Sequence, residues 1–417
     1  MKYHTCMLLA TSLLWLVTTP GIAAGQNRIG PGDRIAIVGN TFADQLRLHG
    51  YLETMLLQRW PEQPVAIRNL GWAGDMLAAR DRPTGFASEE ASLREHHTDV
   101  IIACFGMGES FAGEAGLAQF KSDLQSFLAT HAGKSYNGHS PVRLIVVSPI
   151  AYEDLGQLTP AWKQRNAHLQ LYTQVIREVA AAADAGFINL YEPSRYLMQE
   201  TRGPDLTTNG IHLDAYGYWA LSHEMYRQLT GEPVGSGSRP WRVELNTEQL
   251  TVTAQGVRVS EVEHRDRVWE FTVEELTGAG LAPPTSRELP VQLQYERDQL
   301  RIVMLPVGDY QLTIDDQLVA TADAAAWSEG VAIDGSPAHM AAEALRQAVN
   351  DKNLQFIYSW RALNQVHIVG ERRSSPSGRA LPAELAQFAQ AAADRESALR
   401  QMLTRHTRRW RLQPATP

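Results

Sequence analysis

The sequence predicts an α/β fold with a parallel sheet, followed by a β-rich module and a C-terminal helical region. Three observations predict it. Apolar runs of strand length alternate with helical stretches through the first half of the chain. A Pro-, Gly- and Ser-rich stretch, Glu232-Pro233-Val234-Gly235-Ser236-Gly237-Ser238-Arg239-Pro240, then interrupts the pattern. Beyond it, apolar and polar residues alternate until helical spacing returns at Pro337. Strand and helix in alternation argue for a parallel sheet covered on both faces, and a period of two argues for hairpins.

The strand candidates of the first half are residues 35–38, 65–69, 100–105, 144–148 and 187–190. Helical patterns lie between them at 51–60, 117–131 and 166–183. In the second module Val291, Leu293 and Tyr295 alternate with polar residues, as do Leu300, Ile302 and Met304. Tyr310, Leu312 and Ile314 follow, with Asp315-Asp316 as a turn before residues 317–319. From Pro337, Met340, Ala344, Leu345 and Val349 fall on one helical face. Residues 383–411 read as a last long helix through Leu385, Phe388, Ala392, Leu399 and Leu403. Its arginine-rich end (Arg400, Arg405, Arg408, Arg409, Arg411) reads as a solvated helix end whose cations suit the dipole, with a membrane or polyanion contact as the alternative. The expected division is 1–24, 27–232, 240–335 and 337–417, and the length of 417 residues suits two or three domains.

The net charge of −8 gives no reason to expect a nucleic-acid partner. Residues 1–24 read as a secretory signal. Lys2 supplies the positive end, residues 7–17 an apolar run broken by Thr11 and Ser12, and Ile22-Ala23-Ala24 a small-residue cleavage site. The apolar run is short for about 30 Å of hydrocarbon, so no stable membrane insertion is expected after cleavage. A secreted or periplasmic location follows. Of the two cysteines, Cys6 lies in the signal, which leaves Cys104 without a partner for an intramolecular disulfide. Cys104 sits in an apolar strand-like run and reads as a core thiol.

Two segments carry the chemistry. Pro31-Gly32-Asp33-Arg34-Ile35-Ala36-Ile37-Val38-Gly39-Asn40-Thr41 is a turn, a strand and a hydroxyl at the strand's end. Asn209-Gly210-Ile211-His212-Leu213 is a short loop before a helix, late in the chain. Open α/β sheets place catalytic groups at the carboxyl ends of their strands. A hydroxyl there with a late histidine suggests an activated-nucleophile hydrolase.

With Asn69-Leu70-Gly71-Trp72-Ala73-Gly74-Asp75 and Phe105-Gly106-Met107-Gly108-Glu109-Ser110 between them, these segments resemble the four ordered blocks of the SGNH (GDSL-type) hydrolase family over roughly residues 27–232. The wording also resembles a subgroup of secreted proteins of planctomycete-type bacteria. The haem-binding Cys-x-x-Cys-His that some members of that subgroup carry is absent, so no cofactor is implied. The resemblance implies a three-layer fold and ester hydrolysis, with a small-molecule or polysaccharide ester as substrate. It implies Thr41 as nucleophile, His212 as base, Asn209 as the orienting third member, and an oxyanion hole at Thr41, Gly74 and Gly108. The triad is degenerate. Thr41 stands for serine, Asn209 for aspartate, and Gly108 for the asparagine that would donate to the oxyanion.

Each position has a plainer alternative. Thr41 has a methyl that crowds its oxygen, and its hydroxyl could instead cap the following helix. His212 could be a structural histidine. Asn209 can accept from the ring through its amide oxygen, yet offers the imidazolium no counter-charge. Asp205 and Asp214 are nearby but lack the three-residue spacing. Glu109 would repel an oxyanion while ionised, and Ser110 offers a hydroxyl. Gly71 and Gly74 also suit a tight turn. Asp44, Asp75, Glu109 and His212 lack metal-ligand spacing, so no metal is expected. Trp360 and Arg361, with Lys352, Asn353 and Asn364 nearby, read as an anchor between domains, the alternative being a carbohydrate subsite. The rival to an esterase is a non-catalytic pseudoenzyme that binds a glycan or other ligand.

The export reading has a direct check. N-terminal sequencing of native material should return a chain beginning near Gly25 or Gln26, outside the cytoplasm; an intact Met1 would refute it.

Overall fold

The computed structural model describes residues 28–82, 86–200, 203–232, 240–361 and 374–415. The expected leader with Cys6, most of the expected 232–240 linker and Asn364 lie outside these residues. The first unit runs β1 (Arg34–Gly39), α1 (Thr41–His49), α2 (Tyr51–Arg59), β2 (Ala66–Asn69), α3 (Glu89–Glu95), β3 (Val100–Cys104), α4 (Leu117–His131), β4 (Arg143–Val147), α5 (Trp162–Ala182), β5 (Gly186–Ile188), α6 (Tyr191–Leu197) and α7 (Ala215–Thr230). The five strands form a parallel sheet in the order β2-β1-β3-β4-β5. Every residue of β3 is buried, as a central strand covered on both faces requires. Two apolar cores flank the sheet. One joins Ile35, Ile37, Ile102 and Val147 to α2 and α7, the other joins Ala36, Ile101 and Val146 to α4 and α5. This is the expected three-layer arrangement.

The second unit contains β6 (Arg242–Asn246), β7 (Thr251–Gln255), β8 (Val257–Arg265), β9 (Val268–Glu275), α8 (Val291–Gln294), β10 (Gln299–Val303), β11 (Asp309–Ile314), β12 (Gln317–Asp323), α9 (Ala324–Glu329) and β13 (Val331–Ala332). After it come α10 (Pro337–Trp360), α11 (Pro376–Gln401) and β14 (Thr407–Pro414). One sheet is ordered β13-β10-β6-β7 and the other β12-β11-β14-β9-β8. They share one core, with Trp241, Leu245 and Ile302 meeting Trp269, Phe271, Tyr310 and Leu312.

Three expectations are corrected here. The Val291, Leu293, Tyr295 alternation is no strand. Pro290 starts the short helix α8, which buries Leu293 and leaves Val291 and Tyr295 exposed. On α10 the inward face is Ala342, Leu345, Val349 and Ile357; Met340 and Ala344 face outward. The arginine-rich end is not a helix end. Residues 407–414 form a strand inserted between β11 and β9, with Trp410 and Leu412 in the core. Only a period of two buries Trp410 and Leu412 while turning their neighbours outward. Arg408 pairs with Glu275 and Asp315, and Arg409 with Glu270. No described helix is long and apolar enough to cross a membrane.

The helix α10 fastens the C-terminal part to the first unit. Ser336 caps it, with Pro337 in its first turn. It lies along β2, the sheet's edge strand, where fully buried Lys352 pairs with Glu53 and donates to Ile67 O at 3.0 Å. Asn353 Nδ2 donates to the other Glu53 oxygen at 3.0 Å. At its end Trp360 packs edge-on against Trp72 and Phe86, and Arg361 pairs with Asp44 and donates to Gly71 O at 2.7 Å. Trp360 and Arg361 therefore anchor, as the sequence favoured.

Removing one member of a buried ion pair strands the other, typically at about 3–5 kcal/mol. Lys352→Met should thus lower the urea midpoint strongly. The double change Lys352→Met with Glu53→Leu should recover much of the loss, and an unchanged midpoint in the single variant would contradict the anchoring role.

Candidate active site

The carboxyl ends of β1, β2, β3 and β4 converge on one cavity. Asn40 follows β1 and donates its N–H to Cys104 O at 3.1 Å. Its side-chain oxygen accepts from Phe42 N at 3.1 Å, so Asn40 caps α1. The cap alternative for Thr41 is thereby corrected. Thr41 is the first helical residue, and its Oγ1 accepts from Gly74 N at 3.1 Å. Gly74 has φ of +87°, which turns its amide toward the hydroxyl. The amide offered by resemblance to an oxyanion is occupied by Thr41 in the free protein.

The histidine loop is held from below by a residue the sequence did not single out. Buried Glu153 accepts from Leu206 N at 2.8 Å, Thr207 N at 2.7 Å and Thr207 Oγ1 at 2.5 Å. Its own amide donates to Gly210 O at 3.0 Å. Burial raises the pKa of this carboxyl, and the bonds it accepts act against that rise. Gly210 has φ of +93°, and a Cβ there would lie 2.7 Å from the Thr159 methyl and 2.8 Å from the Tyr152 ring. Glu153 lies more than fifty residues before the loop, so no local pattern marks it.

Asn209 departs from expectation. Its side-chain oxygen accepts from His212 N at 3.0 Å and Ile211 N at 3.3 Å. Its NH2 group therefore faces His212 Nδ1, at 2.9 Å. An amide NH2 can only donate, so Nδ1 accepts and the proton sits on Nε2. The expected bond, amide oxygen accepting from the ring, is corrected: the loop backbone already uses that oxygen. In this tautomer Nε2 is a donor, whereas a ring nitrogen acting as a general base has to be unprotonated. Asp205 is exposed and Asp214 caps α7 through Gly217 N at 2.8 Å; neither bonds His212.

The third block is rebuilt rather than merely deleted. At Gly108 a Cβ would lie 2.9 Å from Met76 Cγ and 3.0 Å from Met76 Sδ. Met76 fills the space a side chain at 108 would enter, so Gly108 supplies no side-chain donor. Glu109 is no donor either, because its two oxygens accept from Leu77 N and Gly106 N, each at 2.9 Å. Burial raises its pKa against those bonds. Ser110 donates to Met107 O at 2.7 Å and accepts from Arg165 at 3.0 Å.

The cavity holds about 150 Å³ and is lined by Thr41, Gly74, Met76, Met107, Phe111 and His212 among others. Thr41 is half-buried and His212 is exposed at its mouth. Cys104 also borders it, but burial pushes its thiol pKa far up and keeps it protonated. Among the described residues no three His, Cys, Asp or Glu side chains gather as a metal site. Asp44 pairs with Arg47 and Arg361, and Asp75 with Arg80 and Arg82.

Residues 30–220 match the GDSL-like Lipase/Acylhydrolase family. No curated protein matches the chain. Among solved structures, a gut microbial diltiazem-metabolizing enzyme is similar over 94% of this chain and 100% of its own, at 17% identity and a TM-score of 0.70. That likeness extends the shared fold to the β-rich module and the C-terminal helices. A catalytic mutant of an acetylxylan esterase from Geobacillus stearothermophilus aligns over 48% of this chain and 95% of its own, at 16% identity and a TM-score of 0.36.

Glu153→Gln replaces an acceptor oxygen with NH2 opposite donors. Leaving such buried groups unsatisfied costs about 1–3 kcal/mol. Amide hydrogen exchange over residues 205–213 should accelerate while β3 and β4 stay protected, and unchanged exchange there would remove Glu153 as the loop's support.

Proposed function

We propose that the chain is an exported ester hydrolase that removes a small acyl group from an extracellular polysaccharide. One observation carries the reading: Thr41 Oγ1, the Gly74 amide and His212 line a single open cavity at the carboxyl edge of the sheet. In the reaction Thr41 Oγ1 attacks the acyl carbon and its proton passes to His212 Nε2. The Thr41 and Gly74 amides hold the oxyanion. Collapse expels the alcohol, which takes the proton back from His212, and water then releases the acyl group from Thr41 by the same steps.

The Asn209 side chain sets the rate. For Nε2 to accept a proton, either the ring must place a proton on Nδ1 against the Asn209 NH2, or the amide must turn and abandon two backbone donors. A triad aspartate changed to asparagine in a serine protease loses about 10⁴-fold in turnover for the same tautomeric reason. Slow turnover is expected, and the committed Asn209 amide favours a second reading, a ligand-binding site that no longer turns over.

Aspartate at 209 fits this loop without rearrangement. One oxygen would accept from Ile211 N and His212 N, the other from a proton on Nδ1. Asn209→Asp should therefore raise kcat on p-nitrophenyl acetate by about 10²-fold or more. Thr41→Ala and His212→Ala should each return it to background. If folded Asn209→Asp stays at background on short acyl esters and acetylated sugars, the binding reading replaces the hydrolase.

A further inference from the structure

We infer that Met76 is the specificity-determining residue of the cavity, limiting the length of its acyl group; this rests on the ester-hydrolase reading above. Met76 is fixed rather than loose. It closes a tight turn with Ala79, its N–H donating to Ala79 O at 3.1 Å and its carbonyl accepting from Ala79 N at 3.0 Å. The next residue, Leu77, donates to Glu109 Oε1, while Gly106 donates to Glu109 Oε2. One carboxylate thus ties the Met76 turn to the turn that carries Gly108. The thioether is held over Gly108, within 3.0 Å of where a side chain would begin.

Side chains at 76 and 108 therefore compete for one space. This chain gives it to an apolar group at 76 instead of a polar donor at 108. The consequence is a smaller, drier cavity beside Thr41. Its volume of about 150 Å³ is small beside the roughly 300–1,000 Å³ of ordinary small-molecule pockets. Phe42, Met107, Phe111 and Ile150 complete an apolar wall. When an ester carbon meets Thr41 Oγ1 and its oxygen takes over the Gly74 amide, the acyl tail lies against this wall and the alcohol leaves toward the exposed His212 side. Long acyl chains meet Met76.

The test uses the full chain in the Asn209→Asp background and reads kcat/KM for p-nitrophenyl esters from acetate to octanoate. Met76→Ala should raise the hexanoate-to-acetate ratio by about tenfold or more, as an added methylene-sized space does in apolar pockets. Met76→Leu, which keeps the volume, should leave the ratio near its starting value. A Met76→Ala profile that is active but unshifted overturns the inference while leaving the hydrolase intact. If the Asn209→Asp background is itself inactive, the hydrolase reading fails, and the pocket is read by calorimetry with acetate, butyrate and hexanoate. Tighter hexanoate binding in Met76→Ala than in the parent upholds the role of Met76; equal affinity overturns it. A packing check accompanies both. Gly108→Asn alone should lower the melting temperature, and adding Met76→Ala should restore it, because the competing side chain is gone.

Discussion

The side-chain oxygen of Asn209 is committed to the backbone N–H groups of Ile211 and His212, and the character of the site follows from it. An amide has one acceptor end and one donor end. Once the loop takes the acceptor, only the donor end can face the imidazole. A carboxylate has acceptors at both ends and meets both demands. Asparagine and aspartate at 209 thus differ by a hydrogen-bond count in a five-residue loop. Glu153 sits beneath this loop and fixes its path, so the count cannot be evaded by a small backbone shift.

The oxyanion side shows a parallel substitution. Where a side chain at 108 would reach the cavity, Met76 enters from a neighbouring turn. The space is filled by an apolar side chain, in keeping with the close packing of protein interiors. Glu109, which by composition competes for a functional role, spends both oxygens on joining the two turns. The result is a cavity with hydroxyl, amide and imidazole intact in position and apolar in its walls.

Among the described residues, none of the C-terminal half lines this cavity. The helix α10 covers the edge strand β2, and its buried Lys352 and terminal Arg361 reach Glu53 and Asp44 on α2 and α1. An exposed sheet edge invites pairing with other chains, and covering it removes that hazard. Asp44, one helical turn into α1, is held by Arg47 and Arg361, which leaves the start of that helix to Asn40 and Thr41. The β-sandwich is closed by β14, the end of the described chain, so the second unit is complete only once β14 is in place.

By itself the sequence determined the parallel sheet, its five strands and the helices at 51–60, 117–131 and 166–183, and the β11–β12 hairpin about Asp315-Asp316. Each of these is written in local periodicity or in an ordered motif, and local terms need no knowledge of distant residues. Three things were decided only by the tertiary structure. Residues 407–414 became a central strand because β9 and β11 offered a gap that Trp410 and Leu412 could fill, although the preceding helical spacing runs toward them. Met76 became part of the site because two turns from different strands meet there. Asn209 turned its NH2 to His212 because backbone amides folded over its oxygen. In each case the deciding partner lies elsewhere in the chain or in the path of the backbone itself, where residue types and spacing carry no record of it.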